Sequence, residues 1–158
     1  MNVKREVTIE KNIKDVWELM GNQFGHVHLW SSNFLDSKPG GTAKFTGIDY
    51  SNRITTTERG ETIQELDTFE PDNTSLSYHI TTGLPEVAKT ANAVWSLKEI
   101  DDTKTIATFE FFMEPQDFVP AEMIPKIEMG IIASTEILCK ELKHYMETVP
   151  STTKTNAL

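Results

Sequence analysis

Apolar and polar positions alternate from the start of the chain. Val3, Arg5, Val7 and Ile9 fall on one side of an extended backbone, and Lys4, Glu6, Thr8 and Glu10 fall on the other. That period of two predicts a half-buried strand. At "NIKDVWELM" the period changes: Ile13, Val16, Trp17 and Met20 share one helical face, and Asn12 is placed to cap it. "GNQF" interrupts this helix, and "GHVHLW" predicts a second short one.

From Ser31 to Glu114 the period is again two. Turn signals stand at "KPGGT", "ERGE", "EPDNTS", "TTGLPE" and "DDTK". Between them lie six strand-like runs: "SSNFLDS", "KFTGIDYSNRITTT", "TIQELDTFE", "SLSYHIT", "TANAVWSLKEI" and "TIATFEFFME". The long second run reads as one bent strand with a bulge at Gly47. After Pro115 and Pro120 a helical period returns and runs to Thr148, roughly 40 Å if it is one helix. The expectation is a single α+β domain over residues 1–149, followed by a flexible tail from 150 to 158. Seven antiparallel strands twist and curl around whatever covers their inner face, and the terminal helix is the natural cover. A sheet curled over one helix leaves space that side chains need not fill, and such space becomes a ligand cavity.

Composition narrows the function classes. The 158 residues carry 15 Lys and Arg against 24 Asp and Glu, a formal charge of -9. That balance argues against phosphate-backbone binding and against anionic membrane surfaces. One cysteine, Cys139, excludes an intramolecular disulfide and a cysteine-based zinc site. "MNVKREVTIE" has no apolar signal core and no run reaches membrane-spanning length, so a cytoplasmic protein is expected, without membrane insertion.

Candidate chemistry centres on the terminal helix. Ile124, Ile127, Ile131, Leu138, Leu142 and Tyr145 form a stripe, widened by Ile132 and Cys139. Glu128 lies within that stripe and Thr135 near its middle. Glu128 either faces a cavity, pairs with a strand residue such as Arg53 or Arg59, or reaches solvent in the helix's first turns. On the strands, Ala93, Trp95 and Leu97 share a face, as do Ala107, Phe109, Phe111 and Met113. Trp30, Tyr78, Trp95, Phe109 and Phe111 are each core or ligand wall. "TTGLPEVAKT" is a loop in which Leu84 and Val87 either cap the core or gate a cavity mouth. His26 and His28 have no third metal ligand nearby in sequence, and His79 is expected to point outward. With no phosphate loop or nucleophile motif, no catalytic residue, metal or cofactor is assigned.

The order of elements resembles the START-like superfamily, also called SRPBCC, with its helix-grip fold. "VTIEKNIKDVWELM" is similar to that family's opening strand and helix, and "FGHVHLW" to its short second helix. "GIDYSNRI", with Gly47 and Arg53, is similar to its third strand. "ERGETIQELDTFEPDNTSLSYHI" and "AVWSLKEIDDTKTIATFEF" resemble its hairpins. The closest flavour is the bacterial polyketide cyclase/dehydrase and lipid-transport branch. The resemblance implies a curved seven-stranded sheet gripping the terminal helix, two short helices after the first strand, and a cavity for a hydrophobic small molecule. It brings Arg53 into the candidate lining, with Trp30, Tyr78, Leu84, Trp95, Phe109, Phe111, Ile127, Glu128, Ile131 and Thr135. The expected function is binding of an apolar or amphipathic lipid- or polyketide-like molecule, its polar end oriented by Glu128, Thr135 and Tyr78. The rivals are a cyclase or dehydratase using Glu128 or Tyr78 as acid or base, and a protein-interaction module with a filled core. A monomer or homodimer is expected, with no nucleic-acid partner.

Overall fold

The computed structural model describes residues 1–150. The tail expected beyond Val149 therefore lies, from residue 151, outside the described residues. Strand β1 (Asn2–Ile9) leads into helix α1 (Ile13–Trp17), whose N-terminus is capped as its sequence predicts. The Asn12 side-chain oxygen accepts the Asp15 backbone N–H at 2.9 Å. The helix then widens into one π turn, Glu18–Asn22. Gly21 sits in that turn because any Cβ there would drive into the Trp17 ring. Trp17 continues inward onto Phe69, with ring centroids 5.3 Å apart. A 3₁₀ segment, Phe24–Leu29, is the second short helix.

The remaining strands are β2 (Asp36–Gly40), β3 (Asn52–Thr57), β4 (Gly60–Glu70), β5 (Ser75–Thr82), β6 (Ala88–Asp101) and β7 (Lys104–Pro115). They form one antiparallel sheet in the order β1-β7-β6-β5-β4-β3-β2. Some boundaries differ from the sequence expectation, beginning with "SSNFLDS", of which only Asp36 and Ser37 lie in a strand. The long bent strand does not form: β3 begins at Asn52, and 41–51 is a loop in which Gly47 has φ +92°. The Tyr50 hydroxyl holds that loop to the helices, accepting the Gly25 N–H at 2.8 Å and donating to the Asn22 carbonyl at 3.2 Å. Conversely, "KPG", read as part of a turn, closes strand β2. Pro39 is tolerated there because β2 is an edge strand with one side unpaired.

Register sets the inner face of the sheet in rows. Arg5, Phe109, Trp95 and Leu76 are successive partners across β1, β7, β6 and β5. The next row runs Val3, Phe111, Ala93, Tyr78 and Leu66. Over these rows lies α2 (Ile124–Thr148), entered through a 3₁₀ turn at Ala121–Met123. It runs in the same sense as β1 and clasps that strand's free edge. Lys143 Nζ donates to the Thr8 carbonyl at 2.7 Å, and the Glu10 N–H donates to the Glu147 carboxylate at 2.8 Å.

Burial along α2 is uneven. Thr135, Cys139, Leu142 and Met146 are buried, whereas Ile124, Ile127, Ile131, Ile132, Leu138 and Tyr145 are half-buried. The buried line is thus rotated from the expected isoleucine stripe and includes Met146, which the wheel left out. The C-terminal half of α2 joins the main core with Trp17, Phe24, Trp95, Phe109 and Leu142. Its N-terminal half covers a smaller cluster of Ala88, Ala91 and Met113, with Ile127, Ile131, Ile80 and Leu84 around it. This is the predicted helix grip.

Candidate functional site

Four aromatic rings run under α2 from one side of the molecule toward the small cluster. Trp30 meets Trp95 edge-on at 6.3 Å, Trp95 packs on Phe109 at 4.5 Å, and Phe109 on Phe111 at 6.4 Å. Phe111 touches both apolar clusters and so bridges them. Beyond it the inner face of β6 carries Ala88 and Ala91, small side chains beneath the half-buried Ile127 and Ile131. Large residues fill the C-terminal end of the grip, and alanines line the other.

At the Trp30 end a recess of about 350 Å³ opens to solvent between the 3₁₀ segment and α2. Leu29, Trp30, Ile137 and Tyr145 form its apolar part, and Lys140, Glu141 and His144 its polar part. Glu141 also accepts the Ser32 backbone N–H at 3.1 and 3.3 Å, tying the segment after Trp30 to the helix. Behind Trp30 the Ser31 hydroxyl is buried without a hydrogen-bond partner. A second recess, of about 60 Å³, lies near Asp15 and Met146.

The polar centre of the interior is Arg53, 5% exposed. Its Nε donates to Gln64 Oε1 at 2.7 Å and its Nη1 to the Phe24 carbonyl at 3.0 Å. The guanidinium carbon lies 4.0 Å from the Phe24 ring centre and 4.8 Å from that of Tyr78. Among the described residues no carboxylate pairs with it, and burial lowers its pKa. The Tyr78 hydroxyl stands between this cation and the Trp95 indole. Burial raises the Tyr78 pKa, while the Arg53 charge and hydrogen bonds from Trp95 and Arg53 pull it back.

The expected residues therefore divide into groups. Arg53, Tyr78, Trp95 and Phe109 come together in the main core, with Trp30 at its solvent end. Thr135 is buried on α2 and donates to the Ile132 carbonyl at 3.0 Å, which leaves its oxygen lone pairs available. Leu84, Ile127 and Ile131 belong to the smaller cluster, joined to the rest by Phe111. Glu128 is half-buried between Ile127 and Met129, and forms no hydrogen bond or ion pair with Arg53, Arg59 or any other described residue. His79 points outward onto Asp67 at 2.8 Å. The His26 and His28 rings meet edge-on with centroids 6.2 Å apart, and His28 Nδ1 meets the Ser37 hydroxyl at 2.7 Å. Among the described residues no group of His, Cys, Asp or Glu is arranged to hold a metal ion.

Two polar participants were given no role by the sequence reading. Gln64, the acceptor for Arg53, occupies the inward phase of β4 with Leu66. Arg5 occupies the inward phase of β1 with Val3 and Val7. In each the signal is a polar residue in an apolar slot of a period-two pattern.

Among the described residues no helix is long and apolar enough to cross a membrane. The fold matches that of a START superfamily protein from Mycobacterium smegmatis, with a TM-score of 0.74 at 15% identity, covering 94% of this chain and 99% of that one. It also matches the Zhui aromatase/cyclase from Streptomyces sp. R1128, with a TM-score of 0.75 at 12% identity over 93% of each chain. A major latex-like protein from Panax ginseng aligns with a TM-score of 0.69 at 12% identity, over 92% of this chain and 97% of that one. At such identities the likeness shows the fold alone. No curated protein matches the chain by sequence. The family described as polyketide cyclase / dehydrase and lipid transport matches residues 1–134, the sheet and the first half of α2. With the helix-grip architecture in place over that span, the chain belongs to this family.

Proposed function

We propose that the protein binds an apolar or amphipathic small molecule, lipid- or polyketide-like, between its sheet and α2. The observation that carries this reading is the run of rings from Trp30 through Trp95 and Phe109 to Phe111. It links the recess beside α2 to the alanine-lined end of the sheet. Small-molecule sites are mostly apolar with a few placed polar groups, and Tyr78, Arg53 and Thr135 are such groups here. The half-buried Ile127 and Ile131 over Ala88 and Ala91 give the N-terminal half of α2 room to settle on a guest. A cytoplasmic, non-membrane setting suits the lone thiol Cys139 and the acidic surface.

A second reading, a cyclase-type reaction, is favoured by the Tyr78 hydroxyl beside the Arg53 guanidinium. Burial raises the Tyr78 pKa and the nearby cation offsets only part of that, so the phenol is held protonated, as a proton-donating general acid needs. The likeness to an aromatase/cyclase supports the same reading.

Titration with the neutral fluorophore N-phenyl-1-naphthylamine tests the binding reading. A blue-shifted, saturable signal at one site per chain is expected, with energy transfer from Trp95. Absence of saturable binding, together with native mass spectra free of any carried-through small molecule, would refute it.

A further inference from the structure

Arg5 stands on the inner face of β1, between Val3 and Val7, and is the register partner of Phe109. It thus forms the end of the row that continues through Phe109 and Trp95. The middle of α2 lies over it, and its charge acts on the Cys139 thiol. Its Nε is closed off from solvent and has no hydrogen-bond partner. No other described residue accepts a hydrogen bond from this guanidinium, and no carboxylate pairs with it.

The contrast with Arg53 is informative. Arg53 spends its donors on Gln64 and the Phe24 carbonyl and is enclosed by aromatic rings. It is held by the protein. Arg5 is not, although the chain has 24 acidic residues and Glu128, Glu136 and Glu141 all lie on the helix above. An arginine serving solubility would occupy an outward position of β1, as Lys4 and Glu6 do. A guanidinium presents a planar fork of donors that matches carboxylate and phosphate oxygens in pairs. Placed beside Phe109, at the end of the row that continues to Trp95, it is a charged contact at the edge of an aromatic floor.

We infer that Arg5 anchors an anionic end group of the bound molecule, a carboxylate or a phosphate monoester, while the apolar body lies along Phe109 and Trp95. This rests on the binding reading above and names the class of ligand. The alternative is an arginine whose stem covers Phe109 while its head reaches water past the edge of the sheet.

The test displaces N-phenyl-1-naphthylamine from the whole protein with dodecanol, dodecanoate and dodecyl phosphate at pH 8, each below its micelle concentration. Wild type, Arg5→Met and Arg5→Lys are compared, with thermal melts to establish that each is folded. In wild type, one of the anionic chains should displace the dye at a concentration about tenfold lower than dodecanol does. Which of the two anions is favoured distinguishes a carboxylate ligand from a phosphate ester. In Arg5→Met the preference should vanish while dodecanol is unaffected, and Arg5→Lys should retain part of it. If Arg5→Met does not fold, the graded loss in Arg5→Lys carries the test. Equal displacement by alcohol and anions in wild type, or an anion preference that survives at Arg5→Met or is undiminished in Arg5→Lys, overturns the inference and leaves the binding reading standing. Failure of the dye to bind wild type removes both.

Discussion

The Glu141 carboxylate accepts the Ser32 backbone N–H at 3.1 Å, the polar tie between α2 and the segment that carries Trp30. The bond is exposed, so its net worth is about that of an ordinary surface hydrogen bond, roughly 1 kcal/mol. Its position beside the recess gives it kinetic weight. In Glu141→Ala, dissociation of bound N-phenyl-1-naphthylamine should accelerate roughly three- to tenfold with little change in melting temperature. Stopped-flow dilution measures this, and an unchanged rate would mean that guests leave by another side.

Trp17 and Gly21 should respond to substitution in opposite senses of volume. Trp17→Ala empties space against Phe69 and should cost about 3–5 kcal/mol in urea melts. Gly21→Ala adds one methyl under the Trp17 ring and should cost about 1–3 kcal/mol. A loss under about 1 kcal/mol for Trp17→Ala would remove it from the core.

Glu128 is half-buried with no hydrogen-bond or ion-pair partner among the described residues. Replacing it with Leu removes an unpartnered carboxylate from the apolar face of α2, so stability should hold or rise by up to about 1 kcal/mol. Urea melts of Glu128→Leu and Glu128→Gln decide it. A drop of more than about 1 kcal/mol in both would show that the carboxylate holds a partner in solution.

Cys139 gives a pH prediction. Burial pushes its thiol up to about 11, and the Arg5 charge pulls it partly back. A pKa raised in the folded state stabilises the fold below the thiol's ordinary value, and that contribution is lost as pH rises toward 11. Stability should therefore decline between about pH 9 and 11, and less steeply in Cys139→Ser. Denaturant melts across that window check the slope, and at pH 8 a disulfide reagent should label native Cys139 far more slowly than the unfolded chain. An identical slope in Cys139→Ser would show that the thiol is not held protonated by the fold.

Much of this fold was legible in local pattern. The alternation around Trp95 and Phe109 gave the β6–β7 hairpin and its facing, and Asn12 announced the first helix. Loop 41–51 was not legible, because Phe45, Ile48 and Tyr50 pack on the core from an irregular backbone and mimic strand residues in composition. Nor could sequence spacing pair Arg53 with Gln64 or with a carbonyl in the second helix, since those contacts are made by the fold. The candidate site was read as a set of apolar positions. Its two arginines differ in whether the protein satisfies them, and that difference is visible only in three dimensions.

The clasp of Lys143 and Glu147 on the free edge of β1 has a mechanical consequence. The helix is fastened at its C-terminal end and seated less deeply at the other, where Ile127 and Ile131 are only half-buried. Widening the interior then need not bare the β1 backbone near Thr8 and Glu10, where an open edge would invite another chain to pair. One end of the helix carries half-buried isoleucines, while the other keeps the edge of the sheet covered against its neighbours.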